Sequence, residues 1–161
     1  MGQKRLLLAM LLMTLLGSVT VAQMDQEEAR DAIRRGNAKY AKAEYKVAIE
    51  EYRRVPSAAG ATYATSLYNI GVCYYELWNT EEAIVYYRRA VEARKGSYPM
   101  ALYALGVALK DLKRLSEAKK AFKQSIAKSG GKYAPPHRHD AAIIPPHVPG
   151  VAAASTETSD E

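Results

Sequence analysis

The sequence predicts an all-α fold of three stacked antiparallel helix pairs. Three observations lead there. First, Gly36, Gly71 and Gly106 are 35 residues apart, and Ala48, Ala83 and Ala118 keep that step, each 12 residues after its glycine. Second, Tyr52, Tyr87 and Phe122 stand four residues after each alanine. Several side-chain classes thus share one period, the mark of a repeat architecture. Third, apolar residues recur at helical spacing inside each copy. Leu67, Ile70, Gly71, Tyr74 and Leu77 make one stripe, and Ala83, Ile84, Tyr87, Ala90 and Val91 a second, as an i, i+3, i+4, i+7 pattern requires.

These stripes place helices over 25–42 and 45–54, 64–77 and 80–94, 99–112 and 115–129. Pro56 ends the second helix, because proline removes a backbone donor and clashes with the preceding turn. The linker that follows, 56–62, is long and made of small residues, so the first two pairs are expected to stack at an altered angle. Asn79 with Glu82 three residues later has the spacing of a capping box for the fourth helix. Trp78 occupies the turn before it and is expected to pack there. Gly96 ends the fourth helix, Pro99 suits the first turn of the fifth, and Ser129-Gly130-Gly131 ends the sixth. Gly on one helix is expected to face Ala on its partner, with the aromatic ring filling the space beneath the crossing.

The flanks have a different character. Of 161 residues, 1–22 read as a secretory signal peptide. Lys4 and Arg5 give a positive start, Leu6 to Leu16 an apolar core, and Thr20-Val21-Ala22 a small-residue cleavage site. The uncharged run from Leu6 to Met24 is 19 residues, so an uncleaved membrane anchor is the alternative. Export, to a periplasm or to the outside, follows from either. At the other end five prolines fall within 15 residues, and polar residues follow. Residues 136–161 therefore read as a disordered tail holding Pro and His. The body, 23–135, divides into repeats near 29–63, 64–98 and 99–131. It carries 20 Lys+Arg against 13 acids, +7, while the tail has one Arg against four acids, −3.

The body resembles the tetratricopeptide repeat family. The run Tyr68-Asn69-Ile70-Gly71-Val72-Cys73-Tyr74-Tyr75, then Glu81-Glu82-Ala83-Ile84-Val85-Tyr86-Tyr87-Arg88-Arg89-Ala90, is near its consensus. The first copy matches at Gly36, Ala48 and Tyr52, and the third at Leu105, Gly106, Ala118 and Phe122. The period departs from the family's usual 34 by one residue, and Lys95 stands where a proline is expected. The resemblance implies a short right-handed α-solenoid whose concave groove is lined by the first helix of each pair. It places Arg30, Ile33, Arg34, Asn37 and Tyr40 there from the first copy. Thr65, Tyr68, Asn69, Val72, Tyr75 and Glu76 follow from the second, and Met100, Tyr103, Val107, Lys110 and Asp111 from the third. Tyr40, Tyr68, Tyr75 and Tyr103 would form an aromatic path flanked by two Asn amides, able to take an extended peptide or a helix; the alternative for any one of these rings is packing between neighbouring repeats.

Family members that bind chaperone tails hold a terminal carboxylate with amides and cations. Asn37 and Asn69 answer to the amides, but Ile33, Met100 and Ala104 stand where the cations belong, so that ligand is not expected. The expected function is an exported, non-enzymatic scaffold or adaptor for a protein or peptide, in bacterial envelope assembly or secretion. The alternative is an oligomerisation module. The outer face of the sixth helix (Leu115, Ala118, Phe122, Ile126) lacks a polar cap, and either a second copy or tail residues 141–148 would cover it. No cofactor, metal or nucleic acid is expected. Cys73, the single cysteine, reads as core, and His137-Arg138-His139 is a poor metal site in a flexible segment. Basic pairs at Arg34-Arg35, Arg53-Arg54, Arg88-Arg89 and Lys119-Lys120 read as solvated helix face or as a weakly attractive surface for anionic lipid. No Ser-His-Asp set, P-loop or paired buried carboxylate is present to support catalysis.

Overall fold

The computed structural model describes residues 26–131. Helix α1 covers 26–40. It is followed by α2 (Tyr45–Arg53), a 3₁₀ turn (Ser57–Ala59), α3 (Ala61–Glu76), α4 (Thr80–Ala93), α5 (Pro99–Asp111) and α6 (Leu115–Lys128). No strand occurs among the described residues. Consecutive helices pair as expected, α3 on α4 and α5 on α6, and the pairs stack through α2 on α3 and α4 on α5. The first helix of each later pair is therefore covered on two sides. That is why α3 and α5 are apolar almost all round, with nine consecutive or near-consecutive buried positions in α3 from Ala64 to Cys73. Helices α2, α4 and α6 bury one stripe each: Ala48, Ile49 and Tyr52; Ala83, Ile84, Tyr87 and Ala90; Ala118, Ala121 and Ser125.

Each repeat glycine is required by a ring. A methyl on Gly71 would lie 2.7 Å from the Tyr87 ring, and one on Gly106 would lie 2.5 Å from Phe122. At Gly36 the Tyr52 ring stands closer still. The partner of the glycine is thus the aromatic side chain itself rather than the repeat alanine. Ala83 contributes only its carbonyl, 3.3 Å from the same hypothetical methyl.

The turns within pairs repeat too, in their backbone. Ala43, Trp78 and Lys113, 35 residues apart, have φ of 57°, 63° and 61°. This is the left-handed region that glycine enters freely and other residues at a cost. Trp78 does not pack at the turn: it is 89% exposed, because the left-handed bend swings its side chain off the pair. Nor does Asn79 cap α4 with its side chain. Glu81 and Glu82 in the first turn supply the favourable charge there instead. Helix α3 begins at Ala61, three residues before the expected start at 64, since Gly60 at φ 56° turns the chain directly out of the 3₁₀ segment. The linker is thereby shorter than its composition suggests. Pro99 does open α5, and Gly96 leaves α4 at φ 78°.

The signal segment, the tail and its H-x-H lie outside the described residues. Among the described residues, no helix is long and apolar enough to cross a membrane.

Candidate interaction face on the first helices

Helices α1, α3 and α5 meet along one face, where polar side chains join successive pairs. The Tyr40 hydroxyl on α1 donates to Glu76 Oε1 on α3 at 3.2 Å. The Tyr75 hydroxyl on α3 donates in the same way to Asp111 Oδ2 on α5. Both tyrosines and both acids are 35 residues apart, so one cross-repeat rung is built twice. The third copy has exposed Lys110 at the tyrosine position. Burial, reinforced by Glu76, pushes the Tyr40 hydroxyl well above its ordinary range. Burial, then Asp111, does the same at Tyr75. Both hydroxyls therefore stay protonated donors at neutral pH.

The two amides expected on the face are hydrogen-bonded within the protein. Asn37 Oδ1 accepts from the Tyr52 hydroxyl at 2.7 Å and from Asn69 Nδ2 at 3.4 Å. Asn69 is fully buried. They tie α1, α2 and α3 together, so Asn69 presents no amide to a ligand, while Asn37 stays half-exposed.

Tyr68 also departs from the expected aromatic path. It is 0% exposed, with its ring centroid 5.8 Å from both Tyr87 and Tyr98. Tyr98, at the entry to α5, covers the edge that an isolated second repeat would leave open. Val72 and Val107 are likewise core. Arg34 is exposed, held by Asp31 on its own helix and 3.8 Å from Glu27. Met100 and Tyr103 are half-buried, with Tyr103 5.4 Å from the Phe122 ring. The accessible face thus consists of Arg34, Asn37, Tyr40, Tyr75, Met100 and Tyr103, with Glu76, Lys110 and Asp111. Its centre is floored by Tyr68, Asn69, Val72 and Val107.

Three features fell outside the sequence reading. The rungs could have been found, since Tyr40/Tyr75 and Glu76/Asp111 keep the repeat step. Of the other two, the first was signalled only by the uncapped Phe122 and Ile126, and the second had no such signal. One is a cavity of about 340 Å³ at the end of the stack, lined by Tyr103, Phe122, Ser125 and Ile126. The other is a chain of contacts from α2 through the end of α3 to α4. There Arg53 donates to the Tyr74 hydroxyl at 3.1 Å, Tyr74 stacks on Tyr86 at 5.3 Å, and the Arg89 guanidinium lies 5.1 Å over Tyr86. The recurring arginines mostly meet acids: Arg35 with Glu51, Arg53 with Glu50, and Arg88 with Glu117. Glu51 is held below the usual carboxylate range, chiefly by its hydrogen bond from Arg35. Cys73 is fully buried, and burial pushes its thiol up to about 12. Among the described residues, no group of three or more His, Cys, Asp or Glu could hold a metal ion.

Comparison with known proteins agrees with this geometry. The tetratricopeptide repeat family matches residues 64–97 and, separately, residues 101–127. Among solved structures, the second TPR of Spaghetti (RPAP3), bound to the HSP90 peptide SRMEEVD, is similar. It shares 32% identity at a TM-score of 0.58, over 66% of this chain and 96% of that one. No curated protein matches in sequence.

Proposed function

Because the chain belongs to the tetratricopeptide repeat family, we propose that it is a non-enzymatic scaffold that holds a protein or peptide on the face of α1, α3 and α5. The observation that carries this reading is the pair of rungs, Tyr40–Glu76 and Tyr75–Asp111. They fix neutral hydroxyls and charged carboxylates in register along a face floored by rigid core, which lowers the ordering cost of binding. The RPAP3 relative, whose structure contains a bound peptide, supports the same kind of partner.

The ligand differs from that relative's. Ile33 and Ala104 are buried apolar residues, 3% and 2% exposed, and Met100 is uncharged. A carboxylate placed against them would lose its hydration with no cation in return. Titration of SRMEEVD by fluorescence polarisation should give no saturable binding. Micromolar affinity would refute this assignment.

The working site is outside the cytoplasm, as Lys4, Arg5, Leu6 to Leu16 and the Thr20-Val21-Ala22 sequence suggest; the bacterial envelope or its secretion machinery is the setting we infer by analogy with the family. Mass analysis of the protein from its native host should find a chain beginning at Gln23, and an intact leader in the soluble fraction would contradict export with cleavage. Crosslinked capture in the native envelope then identifies the partner. Arg34→Glu combined with Lys110→Glu, both at exposed positions, should weaken its binding at least about tenfold with helical content unchanged.

A further inference from the structure

Among the described residues, nothing covers the far end of the stack. Leu115 and Ile126 on α6 are 62% and 50% exposed, and half-buried Phe122 lines the 340 Å³ cavity with Tyr103 and Ile126. In place of the expected stripe, Ala118 is 3% exposed and faces inward. The open stripe runs Leu115, Lys119, Phe122, Ile126, the i, i+4, i+7, i+11 series of one helix face. It is therefore apolar and basic together. Among the described residues, ion pairs at this end run through Arg88, Arg114 and Glu117, and Lys119, Lys120 and Lys123 take part in none of them.

We propose that the chain's own C-terminal segment caps this face, with residues 141–148 over Tyr103, Phe122 and Ile126 and the acids of 157–161 against the lysines of α6. Chemistry and length both favour it. Ala141-Ala142-Ile143-Ile144-Pro145-Pro146-His147-Val148 is the apolar stretch of the chain beyond Gly131, and Glu157, Asp160 and Glu161 follow it. The order, apolar and then acidic, complements an apolar cavity beside exposed lysines. Ala141 is ten steps along the chain from Gly131, a reach of up to about 33 Å. Helix α6, at 14 residues, is only about 21 Å long. Terminal repeats need a covered or polar outer face, and the prolines suit an extended strap that lies on a surface without needing to pair its backbone.

The test is hydrogen exchange on the full-length protein and on Ile143→Asp/Ile144→Asp, which alters no residue of the helical body. Protection of α6 should fall about tenfold, with α3 and α4 unchanged. Glu157→Gln/Asp160→Asn/Glu161→Gln should give a smaller loss, and raised salt should reproduce it in the unaltered protein. Equal α6 exchange in wild type and the Ile143/Ile144 variant would overturn the proposal. So would a dimer by light scattering that persists in that variant with α6 still protected, because the cover would then be a second copy. Neither readout involves a ligand on the α1, α3 and α5 face, so failure here leaves that reading untouched.

Discussion

Tyr75 donates its hydroxyl across the repeat boundary to Asp111, repeating what Tyr40 does toward Glu76 one period earlier. The two rungs differ in solvation. Tyr40 and Glu76 are both half-buried, whereas Asp111 is exposed. Loss of a hydroxyl beside a partly buried carboxylate costs more than the same loss in water. Tyr40→Phe should therefore destabilise by about 1 kcal/mol and Tyr75→Phe by about half as much. Urea unfolding of the two variants decides it, and equal costs would mean that neither rung is tuned by its surroundings.

Gly71 and Gly106 face rings of different freedom. Tyr87 is fully buried, while Phe122 borders the cavity at the end of the stack. Overpacking costs about 1–3 kcal/mol, and alanine regains about 1 kcal/mol of helix propensity. Gly71→Ala should be clearly destabilising and Gly106→Ala less so, since half-buried Phe122 has more room to shift than the fully buried Tyr87 ring. Comparing their urea midpoints checks this order.

At the turns, Trp78 holds φ 63° while 89% exposed, so its side chain returns no packing for the backbone strain. Trp78→Gly should stabilise by about 1 kcal/mol. Lys113→Gly, at φ 61°, should do the same, read as a raised midpoint in thermal unfolding.

Burial pushes the hydroxyls of Tyr40, Tyr52, Tyr87 and Tyr98 upward. Their folded values lie above the unfolded one, near 10. The stability they contribute is present in full below about pH 10 and is lost as pH rises toward the folded values. Tyrosinate absorbance should therefore rise together with loss of helical circular dichroism above about pH 10. Cys73, with its thiol at about 12, should resist thiol reagents until the chain unfolds.

How much of this was legible in the sequence depended on what each residue packs against. The glycine–ring contacts recur because each helix pair solves the same crossing, so Gly36, Gly71 and Gly106 announced the pair count and the period. Helix α3 starting at Ala61 was hidden, since the cause is one positive-φ glycine rather than an apolar stripe. Tyr68 falls on the stripe of α3 assigned to the groove, but it is covered by Tyr98, 30 residues away at the entry to α5, a contact that the helical pattern around Tyr68 does not show. Asn37 and Asn69 misled for a similar reason, since an amide suited to a ligand is equally suited to a neighbouring amide and the Tyr52 hydroxyl.

The central claim is that partners bind on the face of α1, α3 and α5. A photocrosslinking residue placed in turn at Arg34, Met100 and Lys110 tests it against the same residue at Val47 and Val85, which are 44% and 53% exposed on the second helices. In cells of the native host, adducts to one and the same partner should form from the first three positions and not from the last two. Equal crosslinking from both sets, or adducts from Val47 and Val85 alone, would contradict the assignment.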